Sequence, residues 1–386
     1  MNLVPFGTTC SLQNGRAFKP EEWTESGIPI IRIQNLNDES KPFNYCNFEV
    51  ENRFHVETGD LLFSWSGTPG TSFGAFFWNR GKGFLNQHIF RVDVDNDKVS
   101  KNYLRYAINS KLNLIIDQAH GGVGLKHITK GKLEAVEIPL PPLTEQKRIA
   151  AILDKADTIR RKRQQAIQLA DEFLRAVFLD MFGDPVMNPK GWVESVLVEV
   201  ADIRSGVTKG KKIDPSTGIT LPYMRVANVQ DGFLSLEDIQ EITVSPADAE
   251  KCKLMAGDIL LTEGGDPDKL GRGHVWNNEV PNCIHQNHIF SVRVKNQDLI
   301  RPGFLSAQIA SQRGKRYFIK VGKQTTGIAT INKTVLSEFE PFVPPIWLQD
   351  RYIRISNSIR KLKAKSPTEI MGVFESLSQK FFAGKI

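Results

Sequence analysis

The sequence predicts an α+β protein in which two globular domains of mixed α/β structure are separated by two long antiparallel α-helices. These helices form a coiled coil, and the whole has a pseudo-twofold internal repeat. Three features predict it. The two halves carry the same short motifs in the same order, each half ends in a long heptad-patterned segment, and the stretches before those segments alternate short apolar runs with turn residues. The expected boundaries are a first domain at 1–142, a central helix at 143–184, a second domain at 185–345 and a C-terminal helix at 346–386.

The repeat comes first, because a duplicated unit must be read before its parts. Ile28-Pro29-Ile30-Ile31-Arg32-Ile33-Gln34-Asn35-Leu36 is matched by Leu221-Pro222-Tyr223-Met224-Arg225-Val226-Ala227-Asn228-Val229. Gly59-Asp60-Leu61-Leu62-Phe63 is matched by Gly257-Asp258-Ile259-Leu260-Leu261, and Asn86-Gln87-His88-Ile89-Phe90 by Gln286-Asn287-His288-Ile289-Phe290. Ile128 and Lys130 align with Ile331 and Lys333, and Pro141-Pro142-Leu143 with Pro344-Pro345-Ile346. One such match is chance. Five in order, with a slowly drifting offset, make each copy a whole domain followed by a helix.

Within a copy, apolar runs broken by Gly, Pro, Asn and Asp read as strands and turns over residues 1–100. Asn102 to Ala119 reads as helix, with Leu104, Ile108, Leu112 and Ile115 on one face. A glycine-rich loop, Gly121-Gly122-Val123-Gly124, and a strand at Val136-Glu137-Ile138 close the copy.

From Thr144 to Phe182 there is no Gly or Pro. Ile149, Ile152, Ala156, Ile159, Arg163, Ala166, Ala170, Phe173 and Val177 recur at alternating three- and four-residue spacing, which is a heptad seam. Thr144 is the expected N-cap and Gly183 the stop. Such a helix is about 60 Å long at 1.5 Å per residue, longer than a small core needs. The second segment carries Tyr352, Ile355, Ile359, Leu362, Ile370, Val373, Leu377 and Phe381, with a break expected at Ser366-Pro367. The two seams bury most simply against each other; the other arrangement packs each helix on its own domain.

Composition narrows the class without choosing a function. The chain has 386 residues, 40% apolar and 24% charged, as an ordinary globular protein does. No apolar run reaches the roughly 18 residues of a membrane span, and Met1 to Ser11 has no signal-peptide pattern. Cys10, Cys46, Cys252 and Cys283 are scattered, which fits reduced thiols in a cytoplasmic protein. A net charge of +7 permits nucleic-acid binding.

On these motifs the chain resembles the specificity subunit of type I restriction–modification systems. The resemblance covers nearly the whole chain. It rests on Gly59-Asp60-Leu61-Leu62, Asn86-Gln87-His88, Ile138-Pro139-Leu140-Pro141-Pro142-Leu143 with Glu145, Gln146 and Ile149, Met181-Phe182-Gly183-Asp184-Pro185, and Asn188-Pro189 with Gly191-Trp192. It implies two target-recognition domains, each reading one half of a bipartite double-stranded DNA site; because the copies differ outside the shared motifs, the two halves are expected to differ and the site to be asymmetric. It also implies helices that set the unread spacer and dock methyltransferase subunits, with restriction motor–nuclease subunits joining for cleavage. It further implies a non-catalytic chain, with S-adenosylmethionine, ATP and Mg2+ on those partners. The second copy departs from the pattern: Trp347-Leu348-Gln349 stands where the first has Thr144-Glu145-Gln146.

Candidate phosphate contacts are Arg16 and Lys19, Lys126, His127, Lys130 and Lys132 in the first copy, and Arg204, Lys209, Lys211, Lys212, Arg313, Lys315, Arg316, Lys320 and Lys323 in the second. A solvated face would have the same composition. Base readout needs polar groups on a strand or loop entering a groove; the candidates are Ser64, Trp65, Ser66 and Thr68, and Gln324, Thr325 and Thr326. Cys283, His285 and His288 have only His274 as a candidate fourth zinc ligand, and the first copy has Gly83 and Leu85 at the places of Cys283 and His285. No metal is therefore expected, and His88 and His288 are expected to hydrogen-bond inside their domains. There is no P-loop and no methyltransferase-type Asn-Pro-Pro-aromatic stretch. The competing readings are a stand-alone DNA-cutting or DNA-methylating enzyme and a coiled-coil adaptor whose two domains bind proteins or small ligands.

Overall fold

A computed structural model gives the fold. It describes all residues except 1, 69–71, 122–125, 211–212, 214–215, 266–269, 326–327, 365–368 and 383–386. The chain divides into two compact units, one of residues 1–165 with 366–386 and the other of residues 166–365.

The duplication seen in the sequence is a duplication of topology. The first unit has a four-stranded antiparallel sheet made, in spatial order, by Cys10–Asn14, Ile89–Val94, Leu61–Ser64 and Gly74–Phe77. The second repeats it with Ala201–Ser205, Ile289–Val294, Ile259–Thr262 and Gly273–Val275. One face of each sheet is apolar (Leu61, Phe63, Phe90 and Val92; Ile259, Leu261, Phe290 and Val292) and packs on the helices that follow. A second sheet in each unit holds Ile28–Ile31 or Ile219–Met224 in a parallel pair with Gly83–Leu85 or Ile284–His285.

The shared motifs mark places where backbone geometry is demanding. Gly59 and Gly257 have φ of +94° and +93°, a region that favours glycine. Each donates its N–H to the carbonyl of a buried tryptophan, Trp78 or Trp276, at 2.8 Å. Asn35 and Asn228 are buried and do the same work: Oδ1 accepts the N–H of Arg32 or Arg225, and Nδ2 donates to carbonyls of the following loop.

The central helix runs from Leu143 to Phe182 as 40 unbroken residues. It starts one residue before the expected cap Thr144, because the Pro142 carbonyl already accepts the N–H groups of Glu145 and Gln146. Its far end is closed by the Met181-to-Trp192 motif. Gly183, at φ +82°, donates to the Leu179 carbonyl; Lys190 Nζ donates to the Asp180 and Met181 carbonyls, and Trp192 Nε1 to that of Phe182. The last carbonyls, which a helix cannot satisfy itself, are thus all used.

Each unit pairs two helical segments antiparallel. In the first, Ile149, Ala150 and Leu153 share a core with Phe381 and Phe382 of the Glu369–Phe382 helix. Arg148 lies over Phe381 and Arg160 over Phe374, which fixes the opposite directions. In the second, Phe178 and Phe182 pack on Tyr352 of the Ile346–Ala364 helix, and Asp171 pairs with Lys363 at 2.6 Å. The near end of each long helix packs on its own copy's domain (Ile149 and Leu153; Leu348 and Tyr352) and the far end on the other copy's (Phe178 and Phe182; Phe381 and Phe382). The segments thus pair as expected, and packing of each helix on its own domain holds only for the near ends.

The seam itself needs correction. Ile149, Ala156, Arg163, Ala170 and Val177 face inward, but Ile159, Ala166 and Phe173 are exposed, and Leu153, Ile167 and Leu174 take the covered side. Apolar neighbours at 152/153, 166/167 and 173/174 offer two adjacent lines, and heptad spacing alone does not choose between them. The break expected at Ser366-Pro367 lies outside the described residues.

Candidate nucleic-acid interface

Each unit carries a small three-stranded sheet beside the histidine that the two copies share, His88 or His288. In the first it orders His120–Gly121, Lys126–His127 and Ser66–Gly67. In the second it orders Lys323–Thr325, Ile328–Thr330 and Gly264–Gly265. One backbone frame anchors both. Trp65 donates its N–H to the His88 carbonyl and accepts from Ile128; Glu263 donates to the His288 carbonyl and accepts from Ile331. The frame is held from behind by a close approach at Gly15 and Gly206. A Cβ there would lie 2.0 Å from the Asn86 carbonyl oxygen and 1.9 Å from that of His285.

The side chains on this common frame differ. In the first unit Trp65 stacks on Phe90, ring centroids 5.6 Å apart, and meets His88 edge-on at 5.3 Å. Ser64 Oγ, Trp65 Nε1 and His88 Nδ1 are buried without a hydrogen-bond partner among the described residues. Burial, then the neighbouring His127, holds His88 below the usual histidine range. In the second unit His288 Nδ1 lies 2.8 Å from Glu263 Oε2. The internal hydrogen bond expected of both histidines is therefore seen for His288, while at His88 the aromatic packing of Trp65 takes its place.

Several predicted contacts gather at this frame. Ser66, Lys126 and His127 lie on the small sheet, and Thr68 follows on the surface. Arg16 joins by a backbone bridge to Asn86; its guanidinium pairs with Glu22 at 2.5 Å over the rings of Phe18 and Phe48. Lys19 is exposed beside it. Lys126 Nζ donates to the Ile116 carbonyl and Lys130 Nζ to that of Leu12, whereas Lys132 Nζ meets the Gln118 carbonyl and His120 Nε2.

In the second unit the basic residues divide. Lys209, Arg316 and Lys320 are exposed, and Lys315 faces Asp231 at 3.7 Å. Arg313 is spent internally: it donates to the Pro185 and Glu340 carbonyls and pairs with Glu194 at 2.8 Å. Arg204 lies on the face of the main sheet with Asp258 3.7 Å away, and burial pulls its guanidinium below its ordinary value. Lys211, Lys212 and Thr326 lie outside the described residues, as do the side chains of Lys323, Gln324 and Thr325.

The sequence reading missed Glu263, Gly15 and Gly206. Aligning Asn14-Gly15-Arg16 with Ser205-Gly206-Val207 through the repeat was the available signal for the glycines. A cleft of about 1190 Å³ in the first unit, lined by Phe76, Trp78, Asn102, Arg105, Asp154 and Phe374, contains none of the predicted contacts.

A duplicated recognition frame on a helix-paired α+β fold defines a class, and the chain belongs to it: residues 6–169 and 189–370 both match the type I restriction modification DNA specificity domain. Among relatives, the chain is 23% identical to the type I restriction enzyme EcoBI specificity subunit of Escherichia coli, over 99% of this chain and 85% of that one. It is 22% identical to the StySPI specificity subunit of Salmonella potsdam, over 99% and 88%. The crystal structure of a type I restriction–modification S subunit from M. genitalium has the same fold, with a TM-score of 0.62 at 15% identity, covering 99% of this chain and 96% of that one. No helix among the described residues is long and apolar enough to cross a membrane.

Proposed function

We propose that this chain is the DNA-reading subunit of a type I restriction–modification complex. Each unit reads one half of a bipartite, asymmetric site in double-stranded DNA. The paired helices set the unread spacer and receive methyltransferase subunits, and motor–nuclease subunits complete the restriction assembly. The chain performs no bond-making step itself; S-adenosylmethionine, ATP and Mg2+ are held by the partners. The complex works in the cytoplasm.

The observation that carries this reading is the shared frame with unlike side chains, Trp65 and His88 in one unit and Glu263 and His288 in the other. A duplicated scaffold that keeps its backbone and changes its presented groups suits a reader of two different half-sites. The basic groups nearby supply position rather than sequence.

The test is co-expression with the methyltransferase subunit, followed by mapping of methylated sites. A two-part motif with a fixed gap is the expected result; methylation with no such motif overturns the reading. Binding of the complex to a duplex bearing the motif should also fall steeply, and linearly on logarithmic axes, as salt rises.

A further inference from the structure

We infer that Glu263, steadied by His288, is a base-reading carboxylate of the second unit, taking the exocyclic amino group of a cytosine or an adenine in the major groove. This rests on the reading of the chain as a DNA specificity subunit.

Glu263 is pinned at its backbone from both sides, by the His288 carbonyl at 3.0 Å and the Ile331 N–H at 2.8 Å. Its side chain is pinned as well, through Oε2 to His288 Nδ1 at 2.8 Å. Its other carboxylate oxygen has no partner among the described residues. The glutamate side chain is 32% exposed and the imidazole 58%, so the pair is both held and reachable. Gly264 and Gly265 follow directly and pair with the Ile328–Thr330 strand, whose Thr330 methyl lies 2.9 Å from where a Gly264 Cβ would be, so the strand that carries Glu263 is closely packed from below. An ionised carboxylate only accepts hydrogen bonds. In the major groove the donors it can meet are cytosine N4 and adenine N6. At the same place in the first unit Trp65 offers no acceptor and is occupied with Phe90 and His88. The two units therefore read this position by different chemistry.

The test uses the full chain assembled with its methyltransferase subunits. Methylated sites are mapped for wild type, Glu263→Gln, His288→Ala and, as control, Trp65→Phe, with melting curves for each. Glu263→Gln should relax discrimination at one base position in one half of the motif, on the order of tenfold. His288→Ala should weaken the same position less, and Trp65→Phe should leave that half unchanged. An unchanged motif in both the Glu263 and His288 variants overturns the inference. So does a loss spread evenly over all positions at unchanged melting, which would make Glu263 a general positioning group. If wild type yields no two-part motif, the underlying reading fails; if it does and only the variants disappoint, the inference alone fails.

Discussion

Gln146 and Gln349, each fully buried in the first turn of its helix, make the same three hydrogen bonds. Oε1 accepts the backbone N–H of Ser100 or Arg301 at 2.8 Å, and Nε2 donates to Lys98 and Pro141 or to Leu299 and Pro344. This glutamine, not the glutamate before it, explains why the double-proline motif survives in the second copy, where Leu348 replaces Glu145.

Replacing either glutamine by alanine strands a buried N–H and two carbonyls. Each substitution should cost about 1–3 kcal/mol, seen as a lower melting temperature. The damage should stay within the unit that carries it, as limited proteolysis of the two variants would reveal.

Gly15→Ala and Gly206→Ala drive a Cβ into carbonyl oxygens 2.0 and 1.9 Å away. Backbone cannot yield as a flexible side chain does, so a loss of about 3 kcal/mol or more is expected. Heat-unfolding of these variants should show one unit melting early. Alanine at exposed Gly232, where nothing lies within 4 Å but φ is +79°, should cost far less than either.

His274 supplies a pH dependence. Burial, then the neighbouring Arg360, pushes its pKa down to about 4, while Glu279 opposes the shift. The unfolded chain takes up this proton near the ordinary value of about 6.5, and the folded chain resists. Stability is therefore full above that value and lost as pH falls toward 4, by at most about 1.4 kcal/mol per unit. His285, also lowered chiefly by burial, adds in the same direction. Phe76 stands opposite Leu62 where His274 stands opposite Leu260. His274→Phe should thus flatten the acid limb in urea titrations at pH 7, 6 and 5.

The ruler role is checked by length. Inserting one helical turn into both long helices adds about 5.4 Å, which should lengthen the mapped spacer by one or two base pairs. An unchanged spacer would remove the helices from that role.

Much of the architecture was legible because duplication makes each half a control for the other. Gly59 and Gly257 had to recur since only glycine suits their φ, and Asn35 and Asn228 since each caps the same turn. The seam was half legible: Ile149 and Ala156 follow from spacing, but whether Phe173 or Leu174 turns inward depends on which neighbour packs there. Charge was least legible. Arg313 and Lys320 read alike in a basic run, yet one ties three segments of its unit together and the other is exposed. Partner choice of that kind is set by tertiary structure, not by local pattern.

The helix segments that complete each unit come from opposite halves of the chain: Phe381 and Phe382 close the core begun at Ile149, and Phe178 and Phe182 close the one that holds Tyr352. A fragment ending at Phe182 would bare the surface that Phe381 covers while carrying, in its own last turns, a closely similar plug. Two such fragments would satisfy each other. The present chain thus has the form of a homodimer closed within one polypeptide, each half lending the other its last two turns.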